Sequence, residues 1–179
     1  PHEALLVRRS LPPSARPPLI HVRPPTCEPY LYRTDARFAE ESSRVSSRLV
    51  VLGSCGAWPE AGRACSGFVL EHQGFRIVLD LGYGTLPRLL TLLGSTVADG
   101  VDAVIVTHQH ADHMLDLHGL FRARWFGRRG APALRLYAPA GVVDQVARLE
   151  EDDAPAVHQV FGWRPLPAGP YEVGPFLLE

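Results

Sequence analysis

The sequence of 179 residues contains no lysine and no asparagine, only three cysteines and a single methionine. All 18 basic residues are therefore arginine, which G- and C-rich coding explains without reference to function. Cys27, Cys55 and Cys65 form an odd, scattered set with no CxxC pair, which excludes a disulfide framework and a thiolate zinc site and predicts a reducing, cytoplasmic setting. No uninterrupted apolar run approaches the roughly 18–20 residues a membrane helix needs, so no membrane role is expected. Charge of one sign is also missing: the net charge is −1, too small to create the basic field that draws a whole domain onto nucleic acid or a lipid surface. With Met114 as the only methionine and Pro1 at the start, the chain reads as processed or as a fragment.

What is present is ordinary for a globular domain, with 46% hydrophobic and 21% charged residues. Residues 1–47 stand apart. Pro12, Pro13, Pro17, Pro18, Pro24, Pro25 and Pro29 interrupt every regular period there, and arginine and serine fill the gaps. This segment reads as a disordered or extended tail, with a short helix at Asp35–Ser43 as its one candidate element. From residue 48 to 179 the pattern is that of one α/β domain. Short apolar runs predict strands at Leu49–Leu52, Gly67–Glu71, Phe75–Leu81, Val101–Val106, Ala133–Ala138, Val157–Trp163 and Tyr171–Leu178. The spacing of Leu86, Leu89, Leu90 and Leu93 predicts a helix over Thr85–Leu93 that stops at Gly94. Further helices are expected from Asp112 to about Trp125 and over Gly141–Glu151, the latter with Val142, Val143, Val146 and Leu149 on its apolar face.

The chemistry is concentrated in Thr107-His108-Gln109-His110-Ala111-Asp112-His113, directly after a buried strand. Functional groups of layered α/β folds gather at such strand ends. In an extended loop, residues two apart point the same way, so His108 and His110 can grip one ion. Asp112 and His113 follow where the chain turns into a helix and can grip a second. Imidazole and carboxylate suit zinc, with manganese or iron as alternatives. Two ions about 3.5–4 Å apart can share a hydroxide that attacks at neutral pH. A lone histidine is usually a surface or core residue, but four ligand-type residues in this order are hard to place that way. After the loop, Arg122, Arg124, Arg128 and Arg129 form a basic cluster. It reads as a solvated helix end that favours the C-terminal dipole, or else as a contact for a phosphate-bearing substrate.

His108-x-His110-x-Asp112-His113 resembles the HxHxDH signature of the metallo-β-lactamase superfamily. The likeness extends to Leu52-Gly53-Ser54-Cys55-Gly56, which is similar to the family's first strand and loop, and to Leu79-Asp80-Leu81-Gly82-Tyr83-Gly84-Thr85, similar to its D-x-G-x-G-T turn. Within the superfamily the text most resembles the ribonuclease Z-type branch, which includes tRNA 3′-processing nucleases and cyclic-nucleotide phosphodiesterases. The resemblance implies an αβ/βα sandwich and two divalent metal ions. His108 and His110 would bind the first ion, and Asp112 and His113 the second. Asp112 would also orient or deprotonate the attacking water, and Asp80 would brace the ligand loop.

A complete site of that type takes a third histidine, a bridging aspartate and a last histidine from later sequence. Only His118 and His158 follow His113. His118 lies five residues on and is expected to point elsewhere; His158 is expected in a strand. The expectation is therefore a C-terminally truncated chain holding the N-terminal half to two-thirds of the sandwich, with weak metal affinity on its own. The implied reaction is hydrolysis of a nucleotide or RNA phosphodiester, in a full-length form that can pair as a homodimer. The short stretch Gly141–Gly174 leaves little room for a tRNA-clamping arm and tilts the reading toward small nucleotides. Hydrolysis of a thioester, ester or lactam at the same metals, and a non-catalytic metal-binding role, are the alternatives.

Overall fold

A computed structural model describes residues 7–9 and 47–179. The candidate helix at residues 35–43 lies outside the described residues. Within 7–9, β1 (Val7–Arg9) pairs antiparallel with β9 (Phe176–Leu178), which pairs in turn with β8 (Tyr171–Val173). The larger sheet runs in sequence order: β2 (Ser47–Gly53), β3 (Gly67–His72), β4 (Phe75–Leu81), β5 (Ala103–Ile105), β6 (Leu134–Tyr137) and β7 (Phe161–Arg164). Its first pairs are antiparallel hairpins, and β4 to β7 are parallel. Parallel neighbours need crossovers, and α1 (Thr85–Leu93), α2 (Ala111–Met114), α3 (Asp116–Gly127), α4 (Val142–Ala147) and α5 (Ala154–Val160) supply them.

Side chains alternate across the parallel strands, so each strand feeds two cores. Val78, Val104 and Leu136 point to the helices, where Leu89, Leu117, Leu120 and Phe121 are fully buried with them. Ile77, Ala103, Ile105 and Tyr137 point the other way, onto Val173, Phe176 and Leu178 of the small sheet. Burying each large apolar side chain contributes roughly 1.5–3 kcal/mol, so both faces of the sheet help to hold β4, β5 and β6 in place.

Four expectations are corrected. Val157–Trp163 is not one strand: residues up to Val160 form α5, and β7 starts at Phe161. Pro155 sits in the first turn of the helix, where its missing N–H costs nothing, and Ala156, Val157 and Val160 fall on the buried side, so packing overrides the β-branched bias of the text. The helix expected over Gly141–Glu151 stops at Ala147, leaving Leu149 51% exposed rather than on the apolar face. Tyr171–Leu178 is a hairpin that turns at Gly174, where φ is +57°. The long helix expected after Asp112 is divided at Leu115, which itself keeps right-handed helical geometry. Among the described residues no helix is long and apolar enough to cross a membrane.

Candidate metal centre

Strands β4 and β5 end side by side, and their last residues set the site. Beyond β5, Val106 N–H donates to the Tyr137 carbonyl at 2.8 Å, keeping the chain on the sheet for one more residue. Thr107 then turns the chain away, and His110 is extended (φ −69°, ψ 144°) before α2 begins. The loop therefore carries its histidines at the C-terminal edge of the parallel strands, where layered α/β folds place their ligands. The turn after β4 packs against it. Gly82 lies so close to the Asp112 carbonyl that a Cβ there would collide with it, and Ser66 N–H donates to the same carbonyl at 3.1 Å.

The histidine rings are grouped. The centroids of His108 and His113 are 3.8 Å apart, and those of His108 and His110 are 4.8 Å apart. Asp112 Oδ2 lies 3.4 Å from His113 Nε2. Beneath them Asp80 is 4% exposed and holds a left-handed backbone (φ +57°). A non-glycine residue in that region is uncommon, and here it turns the carboxylate under the loop. Asp80 accepts from Ser66 Oγ at 3.0 Å, Thr107 N at 2.8 Å, Thr107 Oγ1 at 2.9 Å and His113 Nδ1 at 2.6 Å.

This network fixes protons. An ionised carboxylate can only accept, so His113 carries its proton on Nδ1 and its lone pair on Nε2, the nitrogen facing Asp112. Thr107 gives its one hydroxyl hydrogen to Asp80 and so accepts from His108 Nδ1 at 3.0 Å, which places the His108 lone pair on Nε2 as well. Burial lowers the His108 pKa, and the neighbouring His113 pushes the same way. Burial also works to lower the His113 pKa, but the hydrogen bond and charge of Asp80 outweigh it and leave that ring with a raised value.

Two further side chains brace the loop. Gln109 Nε2 donates to the Ala140 carbonyl at 2.6 Å, and Gln145 Nε2 of α4 donates to Gln109 Oε1 at 2.9 Å. Ser66 and Gln145 lie outside every motif in the sequence, and Thr107 and Gln109 sit inside the histidine loop with no role evident from the sequence alone. Adjacency to His108 was a usable signal for Thr107. Ser66 and Gln145 act across the fold and leave no local trace.

The later histidines stand apart from the group. His118 points away, as its helical spacing implies, and its Nε2 meets Glu150 Oε1 at 2.6 Å. His158, expected in a strand, lies on the exposed side of α5 with Nε2 3.8 Å from Asp144. Nor is the basic cluster uniformly solvated. Arg122 binds Glu150 and covers the Phe126 ring, Arg128 pairs with Asp99, and Arg124 is buried.

Imidazole and carboxylate suit a divalent ion, and the grouped rings, with the lone pairs of His108 and His113 on Nε2, fit such a ligand set. The set is open: among the described residues no three histidine, cysteine or acidic side chains converge on one metal position.

A helix-backed mixed sheet with histidines and an aspartate at its parallel edge defines a class, and comparison with known proteins agrees. Residues 61–177 match the metallo-beta-lactamase superfamily, and the chain belongs to it. Among curated relatives, a ribonuclease Z of Halorubrum lacusprofundi is 34% identical over 102 residues, covering 57% of this chain and 32% of that protein. YhfI of Bacillus subtilis, described as a probable metallo-hydrolase, is 27% identical over 129 residues, 70% of this chain and 52% of the relative. The crystal structure of YhfI superposes with a TM-score of 0.58 at 26% identity, covering 74% of this chain and 51% of that one. The short form of human tRNase Z superposes with a TM-score of 0.54 at 24% identity, a likeness of fold, over 69% of this chain and 47% of that one. The chain thus spans about half, or less, of the length of these relatives.

Proposed function

We propose that His108, His110, Asp112 and His113 are the first ligands of a two-metal hydrolytic centre that cleaves a phosphodiester of a nucleotide or RNA. The observation that carries this reading is the grouping of three imidazoles over a buried carboxylate that sets the tautomer of His113 directly and that of His108 through Thr107. His108 and His110 would hold one ion, and Asp112 and His113 the other, with zinc the best match to these donors and manganese or iron the alternatives. When bound, such a pair supplies Lewis acidity and lowers the pKa of water. Asp112 orients the attacking water and takes its proton on a carboxylate oxygen. Asp80 keeps the Nδ1 proton on His113, so that Nε2 stays available as a donor. The remaining donors of a complete centre come, in this reading, from outside the described residues, in keeping with relatives that are longer than this chain.

The phosphodiester preference rests on the relatives named ribonuclease Z. A side-by-side assay of bis(p-nitrophenyl) phosphate, cyclic nucleotides, RNA and a thioester, with zinc or manganese supplied, tests it. Phosphodiester cleavage that is lost in Asp112→Ala is the expected result; turnover of the thioester alone overturns it in favour of carboxylic-ester chemistry. The open ligand set favours one other reading, a non-catalytic metal-binding segment. Less than one weakly bound ion per chain, with no turnover, is its signature.

A further inference from the structure

We infer that a cavity at the C-terminal end of α3 binds a small oxyanion, phosphate or carboxylate, through the guanidinium of Arg124. The cavity measures about 210 Å³ and is lined by Arg124, Trp125, Arg128, Pro132, Gln159 and Val160, with no Asp or Glu in its wall. Arg124 is 7% exposed. A guanidinium carries five N–H donors, and the one hydrogen bond of this side chain among the described residues runs from Nη2 to the Pro132 carbonyl at 3.2 Å.

A buried charge is costly unless it is paired, and the other buried charges here are paired. Glu150 meets Arg122 and His118, and the Asp80 carboxylate has donors on both oxygens. Arg124 has no acidic partner among the described residues. Burial also lowers its pKa, the direction expected of a cation that lacks a counter-charge. Its planar fork suits bidentate capture of a carboxylate or phosphate. Gln159, exposed on α5, places an amide in the same wall, and Arg128 adds a second guanidinium that Asp99 partly offsets.

The site is separate from the histidine group. Arg124 lies eight residues beyond the start of α3, roughly 12 Å along a helix rising 1.5 Å per residue, while the metal loop precedes that start. The proposal therefore stands or falls independently of the metal reading.

Calorimetric titration of the zinc-free chain with inorganic phosphate, adenosine monophosphate and acetate tests it. The expected result is saturable one-site binding of at least one probe. Arg124→Met and Gln159→Glu should each weaken it tenfold or more, and His108→Ala should leave it unchanged. Gln159→Glu lies on the surface and supplies the missing counter-charge internally, so it tests the site without depending on how Arg124→Met folds. Tighter binding of the nucleotide than of phosphate assigns the anion to a nucleotide; equal binding assigns it to a free oxyanion. The inference is overturned if no probe saturates, if Gln159→Glu binds like the wild type, or if His108→Ala abolishes binding.

Discussion

Asp80→Asn separates the charge of the buried carboxylate from the shape of the chain around it. Asparagine tolerates the left-handed backbone at φ +57°, so strain changes little. The hydrogen bonding cannot survive intact. If the amide nitrogen faces His113, it sets an N–H against Nδ1–H, and the ring must move its proton to Nε2, removing the lone pair proposed for metal. If the amide flips, the clash passes to the Thr107 N–H, now 2.8 Å from a carboxylate oxygen. Hydrogen bonds to charged groups contribute about 1.5–3 kcal/mol each, so the loss of one predicts destabilisation of about 2 kcal/mol. Removing the partner that orients a ligating histidine lowers metal affinity by about 10–100-fold. Urea denaturation reads the first quantity and zinc competition against a chromophoric chelator reads the second. An Asp80→Asn chain with unchanged midpoint and unchanged zinc affinity would refute the reasoning. Asp80→Ala should be worse by about a further 1 kcal/mol, because alanine resists the left-handed region.

Other perturbations follow from the same contacts. Gly82→Ala drives a Cβ into the Asp112 carbonyl, and since backbone cannot swing aside, a loss of about 2–3 kcal/mol is expected in thermal or urea unfolding. Burial works to raise the pKa of the Glu150 carboxyl, but Arg122 and His118 outweigh it and hold the group below its ordinary value of 4.5. Its contribution is therefore complete above pH 4.5 and is lost as pH falls through the folded-state value. Glu150→Gln should cost about 1–2 kcal/mol at neutral pH, reduced by the exposure of its partners, and the gap to wild type should shrink in an acid titration of Tm. The Tyr171 hydroxyl is buried without a hydrogen-bond partner among the described residues, and burial together with Tyr137 pushes its pKa up to about 12. Tyr171→Phe should consequently be neutral or stabilise by about 1 kcal/mol; a loss of more than that would reveal a partner for the hydroxyl.

The parts of this fold legible in the sequence are those in which one period dominates. Val101–Val106, Phe75–Leu81 and Thr85–Leu93 are dense enough in apolar residues that strand or helix follows from spacing alone, and the structure has β5, β4 and α1 there. The region from Val157 to Trp163 is ambiguous in the sequence because Val157, Val160 and Phe161 fit either period, and packing on the helical face decides between them. At the site, the loop from His108 to His113 is contiguous and needed no tertiary knowledge. Asp80 entered only through a motif. Its use by Ser66, Thr107 and His113 depends on β3, β4 and β5 lying side by side, which no local pattern encodes. Arg124 looked like one of four solvated arginines, and only the packing of α3 against the 128–132 turn and α5 buries it.

The most direct test of the central claim is a zinc titration followed by NMR of the histidine ring nitrogens in the intact chain. His118 and His158 serve as internal controls, because both lie apart from the group. The account predicts that Nε2 of His108 and of His113 shifts first and together with the His110 ring, while His113 Nδ1 keeps its proton and the controls stay still. Shifts confined to His118 or His158, or zinc binding that leaves His108 and His113 unmoved, would contradict it.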